Sequence, residues 1–235
     1  MKRFVIILLF LVLSYSIFAQ VAYFGMGYNV SRGEYEGFNY VIDRYNETRD
    51  YLTDEMDHIN LTRGMSFDLA LAMPGFLIGA GLQYNRAKVE AIGLIDEQKV
   101  QCDFKLHELN IPFDFALAIG DDGFYFAPGV GINCMFWRYL SRSGEANKIE
   151  DYDYYKSIGS AGIHVKFFVK FIFGGVEDSG FGLILEPYYN LGLLDSKMWT
   201  INEEINPNTY LNDPEKLEKF SQFGVRLSLI LKVEV

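Results

Sequence analysis

Cysteine is scarce in this chain: Cys102 and Cys134 are its only two. Neither belongs to a CxxC pair or to a Cys/His cluster with metal-ligand spacing, so a structural zinc site is not expected. Histidine is nearly as rare, at His58, His107 and His164. Cations are outnumbered, 21 Lys and Arg against 31 Asp and Glu, for a formal charge of −10. That balance excludes a generic nucleic-acid footprint, which needs a basic stripe. Beyond the first nineteen residues no apolar run approaches the roughly 18 to 20 residues of a spanning helix.

Those nineteen residues, MKRFVIILLFLVLSYSIFA, carry two positive charges, an apolar stretch and a small residue at Ala19. They match a secretory signal peptide cut between Ala19 and Gln20. Without Lys2 and Arg3 the exported chain carries −12. The expected division is 1–19 signal peptide and 20–235 one domain.

What the chain has in quantity is tyrosine and phenylalanine, 16 and 20 of them, set in short segments that alternate between apolar and small or polar residues. Successive strand side chains point to opposite faces, so each segment reads as a strand with one apolar face. In Phe223–Val235 the odd positions are all Phe, Val or Leu, whereas the even ones include Arg226, Ser228, Lys232 and Glu234. Similar segments cover 21–30, 59–73, 76–85, 109–119, 124–136, 163–173 and 181–191. Between 31 and 58, Phe38, Val41, Ile42 and Tyr45 recur at i, i+3, i+4 and i+7, which predicts an amphipathic helix in that connection.

Short polar turns follow the second, fourth and sixth segments, at Pro74-Gly75, Gly120–Gly123 and 174–180. Long charged connections, at 31–58, 86–103, 138–156 and 193–221, follow the first, third, fifth and seventh. Eight strands with alternating short and long connections predict an all-β, eight-stranded antiparallel up-and-down transmembrane β-barrel with a partly helical first outer loop. A soluble lipocalin-like barrel points its apolar face inward. Here the apolar faces are bulky and the opposite ones small or charged, which suits a narrow lumen and a lipid-facing exterior. Pairing about the turns sets Leu71 opposite Ile78, Ile119 opposite Phe124, Phe113 opposite Val130 and Cys134 opposite Leu109. The last pairing puts Cys134 several residues from Cys102 and speaks against a disulfide. Pro112, Pro128 and Pro187 each remove a ladder donor inside a strand, and local bulges are expected to absorb them.

Several segments carry a family resemblance. HELNIPFDFAL (His107–Leu117), FYFAPGVGIN (Phe124–Asn133), ILEPYYNLGLLD (Ile184–Asp195) and the helical VIDRYNETR of the first loop resemble the PorT-type outer-membrane β-barrel family of Bacteroidetes. The resemblance implies an outer-membrane barrel, and some members of the family serve secretion or gliding machinery. The chain departs from many such barrels in ending on Val235 instead of an aromatic residue.

The inward faces collect Asp68, Asp114, Lys166, Lys170, Glu186, Arg226 and Lys232. Unpaired buried charge is costly, so these seven are expected to form an interior ion-pair network, with Lys166 opposite Tyr188 and diagonal to Glu186. Such a network could line a polar path or plug the barrel, and a narrow eight-strand lumen favours the plug. His107 falls on the outward face, Glu108 beside it points the other way, and no serine pairs with it. Acyl-transfer catalysis needs a nucleophile and an orienting acid beside the base, so no catalytic residue is assigned. His58 reads as a loop residue and His164 as an inward polar filler. The acidic outer loops lack EF-hand spacing, and no metal site or cofactor is expected. The expected role is a non-catalytic surface or accessory component of the cell outer membrane. Its expected partners are outer-membrane lipid and another envelope protein met through the outer loops or rim. A narrow channel and a lipid-modifying enzyme are the alternatives.

Overall fold

The computed structural model describes residues 21–33, 35–121, 123–154, 156–174, 180–193, 205–206 and 220–234. The stretch expected to be a signal peptide, most of the third short turn and most of the fourth long connection lie outside these residues.

In chain order the elements are β1 (Val21–Gly33), α1 (Glu36–Glu47), β2 (Leu52–Asp54), β3 (Leu61–Met73), β4 (Phe76–Ile95) and β5 (Gln98–Leu117). There follow β6 (Ile119–Asp121), β7 (Phe124–Glu145), a 3-10 turn (Ala146–Asp151), β8 (Lys156–Phe173), β9 (Phe181–Gly192) and β10 (Ser221–Glu234). Eight of the strands form a closed antiparallel ring in the order β1-β3-β4-β5-β7-β8-β9-β10, and β10 returns to pair with β1 along its whole length. Closure leaves the ring no free edge. The short β2 and β6 add to β4 and β7.

The expected faces hold throughout. Phe24, Met26, Phe67, Leu82, Phe115, Ile132, Phe167, Leu183, Leu227 and Leu229 all stand exposed on the outer wall. Water would not tolerate so continuous an apolar surface on a soluble monomer. Phenylalanines crowd its end near the short turns, with Phe76 packed on Phe115 and Phe124 on Phe173. Tyr28, Tyr84 and Tyr189 mark the opposite end. From Phe76 to Tyr84 the strand advances about 27 Å, or roughly 20 Å along the axis of a barrel tilted near 40°. Between its flanking rings, that height approaches the roughly 25 Å apolar band of an outer-membrane barrel. Among the described residues no helix is long and apolar enough to cross a membrane; the strands do. The chain is an outer-membrane β-barrel, and its end with the long connections faces outward.

Four expectations need correction. The 86–103 stretch is not a loop: β4 and β5 run on as a hairpin to a turn at Asp96–Glu97, both at positive φ. β7 likewise continues to Glu145, so the third connection is mostly strand and 3-10 turn. These extensions rise above the membrane. The two hairpins after β5 and β8 pair two residues away from the expected register. Ile119 faces Phe126, Phe113 faces Ile132, Cys134 faces Ile111 and Lys166 faces Asn190. The first slip has a clear cause, since the loop is two residues long, at 122–123, with Gly123 at φ 96. A slip of two preserves every side chain's face. Finally, no bulge accompanies the prolines. The register does not shift at Pro112, Pro128 or Pro187; the β4–β5 ladder skips the pairs at 111–112 and the β8–β9 ladder those at 186–187.

The helix expected from Phe38, Val41, Ile42 and Tyr45 is α1, and all four are buried. They pack on Phe104, Leu106, Met135, Trp137 and Tyr139, the inward residues of β5 and β7 above the membrane. Asn39 and Asn46 bind the returning segment, each side-chain amide both donating to and accepting from the backbone of Ile59 and Met56, at 2.8 to 3.1 Å. The helix therefore caps the outer mouth. Its apolar face belongs to the same core as the wall beneath it.

Candidate functional site

Below this cap the lumen is layered. Nearest the periplasm, Leu77, Ala116, Ala127, Ile172, Ile184 and Ile230 form an apolar floor with Tyr23. Above it six of the seven expected charges meet. Lys166 Nζ lies 2.9 Å from Asp114 and 2.7 Å from Glu186, and Lys170 Nζ lies 2.9 Å from Asp114 and 3.6 Å from Glu186. Arg226 donates to both Asp68 and Glu186. Three cations thus meet three carboxylates, and five of the six side chains are almost wholly buried. Neutrality and mutual hydrogen bonding are what make burial of such groups tolerable. Lys232 is the exception. Ser228 and Ile230 separate it from Arg226 along β10, it lies opposite Tyr23 of the floor, it is only half-buried near the periplasmic end, and among the described residues it has no ion pair.

The void beside Asp68, Asp114, Lys170 and Arg226 measures about 10 Å³. A cavity needs roughly 10 to 15 Å³ to hold a single water. The lumen at this level is filled with side chains.

Above the network lies an amide layer that the sequence reading missed. Glu108 is fully buried and has no cation beside it among the described residues. Thr62 Oγ1 donates to Glu108 Oε2 at 2.9 Å, Gln222 Nε2 at 3.3 Å and Asn85 Nδ2 at 3.4 Å. Asn29 in turn donates to Asn85 at 2.7 Å, and Gln222 to the Tyr35 hydroxyl at 3.2 Å, which ties α1's entry to the barrel. The signal was available, because 108 shares inward parity with Asn110 and Asp114.

Outside the membrane a second charged cluster braces the extended sheet. Arg142 donates from Nε to Asp103 at 2.9 Å and from Nη2 to Glu150 at 2.8 Å, while Lys88 Nζ lies 3.1 Å from Asp103. Burial tends to raise the Asp103 pKa, but hydrogen bonds from Gln101, Arg142 and Lys88 outweigh it and hold the carboxyl below its usual value.

The histidines are dispersed. His58 pairs with Asp43 at 2.6 Å on the first outer connection. His107 faces outward, with its Nδ1 2.9 Å from the Tyr84 hydroxyl. His164 is buried in the lumen against Trp137 and Phe220. Among the described residues no three His, Cys, Asp or Glu side chains are placed to hold a metal ion. Cys102 and Cys134 are unbridged.

No protein-family model matches the chain, and no curated protein sequence does. Solved structures are similar at low identity. The Yersinia pestis attachment invasion locus protein Ail is 9% identical, with 91% of this chain and 98% of that one covered and a TM-score of 0.41. Neisserial surface protein A is 9% identical, with 89% and 96% covered and a TM-score of 0.42. The outer membrane protein OprG from Pseudomonas aeruginosa is 11% identical, with 92% and 97% covered and a TM-score of 0.46.

Proposed function

We propose that this barrel is a non-conducting, non-catalytic accessory component of the outer membrane that engages another envelope protein through its outer sheet or rim. The observation that carries this reading is the lumen filled at the level of the ion network, where the void is only about 10 Å³, between an apolar floor and a helical cap. The folded mass above the membrane fits a docking role. The β4–β5 hairpin, β7 and α1 share one core there, and Leu94 and Ile95 stand half-exposed at the hairpin tip. The resemblance to PorT-type barrels gives the reading its finer form, a subunit of a secretion or gliding assembly.

The test is cross-linking in intact cells, extraction in mild detergent and identification of what is recovered. A stoichiometric envelope protein, lost when Leu94 and Ile95 are both replaced by Asp, is the expected result. Recovery of the barrel alone, or single-channel conductance well above bilayer background, would overturn it.

A further inference from the structure

On four consecutive strands of the ring, the outward residue immediately beyond the apolar belt is basic or imidazole. Met65 is succeeded by Arg63 on β3, Tyr84 by Arg86 on β4, Leu109 by His107 on β5 and Phe136 by Arg138 on β7. The ladder makes them direct cross-strand neighbours, Arg63 opposite Arg86, Arg86 opposite His107 and His107 opposite Arg138. One tier further out, Lys88 faces Lys105.

Like charges set directly opposite each other on a sheet destabilise it. The outer cations have local compensation: Lys88 reaches Glu90 and Asp103, and Lys105 lies over the Tyr154 ring. Arg63 and Arg86 are exposed and have no ion pair among the described residues. The concentration is also against the grain of a chain that is acidic overall. A cleft of about 820 Å³ opens on this wall beneath the 57–61 segment, and against Asp57 its lining sets Arg63, Arg86, Lys88 and Lys105.

We infer that this row is a binding site for the phosphate-bearing headgroup of an outer-leaflet lipid. Its height dictates the occupant. The belt below it seats acyl chains, so a ligand continuous with that interface presents its headgroup at the level of Arg63 and Arg86. A guanidinium fork matches phosphate bidentately. Adjacent strands are about 4.8 Å apart, so one phosphate can bridge two neighbouring arginines. Bound phosphate would turn the repulsion along the row into shared attraction. The Tyr84 hydroxyl on His107 fixes the middle of the row.

The experiment uses the full refolded barrel in phosphatidylcholine vesicles, with and without lipid A bearing both its phosphates, and with dephosphorylated lipid A. Retention of the phosphorylated glycolipid on the purified barrel is the readout. The Arg63→Gln/Arg86→Gln variant should bind it roughly 10- to 30-fold more weakly, since each interfacial cation near anionic lipid is worth about a factor of five. The Arg44→Gln variant, which removes a cation paired with Glu47 on α1, should bind normally. Both variants must keep the heat-modifiable mobility of the folded barrel. Three results would overturn the inference: equal binding by the Arg63/Arg86 variant, equal retention of dephosphorylated lipid, or full displacement by inorganic phosphate at the lipid's own concentration.

Discussion

Lys166 Nζ reaches both carboxylate oxygens of Asp114, at 3.1 and 2.9 Å, although β7 separates their strands. Both residues lie opposite Gly131 on β7, whose missing side chain lets them meet across it. With Lys170 on the same carboxylate at 2.9 Å, the pair ties β5 to the Glu186–Arg226 side of the lumen.

Removing one partner should therefore be far worse than removing both. Asp114→Ala leaves Lys166 and Lys170 with only Glu186 between them, and breaking a buried pair from one side costs about 3 to 5 kcal/mol. Asp114→Leu with Lys166→Met restores neutrality and apolar packing and should recover most of that loss. Urea midpoints of the heat-modifiable band check this. A double variant no better than the single one would show that the network does not act through charge balance.

Gly131 itself admits no substitution without movement. A Cβ there would stand 2.5 Å from the Phe113 carbonyl oxygen and 2.8 Å from Asp114 Oδ1. Gly131→Ala should destabilise the barrel by roughly 1 to 3 kcal/mol, the usual range for overpacking. Combined with Asp114→Ala, the two losses should be clearly less than additive, because both disturb one contact.

The two cysteines should differ sharply in reactivity. Cys102 is buried under α1, where burial pushes its thiol up to about 11 against the smaller opposing pull of Tyr45 and Arg49. It is scarcely ionised at pH 8. Cys134 lies on the outer wall between Ile111 and Ile163, half-buried. A lipid-soluble maleimide should label Cys134 in the folded barrel and Cys102 only after unfolding, with gel mobility unchanged by reductant. Labelling of Cys102 first would contradict the placement of α1 over the mouth.

Face and ring were legible in the sequence because a period of two survives any even error. Leu227 and Arg226 go to opposite sides whatever their partners. Register was less legible, since it depends on turn length, and Gly120–Gly123 reads as a four-residue turn when the backbone closes on 122–123 alone. The outer sheet was hidden by its charge. Arg86, Lys88 and Glu90 look like loop residues, yet Ala87, Val89 and Ala91 between them face the cap, as do Cys102, Phe104 and Leu106 on β5. Asp68, Asp114 and Glu186 could be read as a group from parity alone. Lys232 could not be separated from them, because nothing in its own strand shows that Tyr23 and Ile230 close the floor beneath the network.

Acid should loosen the outer sheet before the membrane-spanning ring. The Asp103 carboxyl is held below its unfolded value of 3.8, so its contribution is fully present above that pH. It is lost as pH falls through the lower, folded value, when a protonated Asp103 no longer answers Arg142 and Lys88. As pH falls below 3.8, amide exchange should rise in the β4–β5 hairpin and in β7 beyond Arg138. Amides of the closed ring below Tyr84 should stay protected over the same interval. Asp103→Asn should remove the pH step and leave the hairpin less protected at pH 7, because the amide keeps the shape and not the charge. A step that persists in that variant would have to come from another carboxylate, with exposed Glu90 or Glu150 as its neighbours in the cluster.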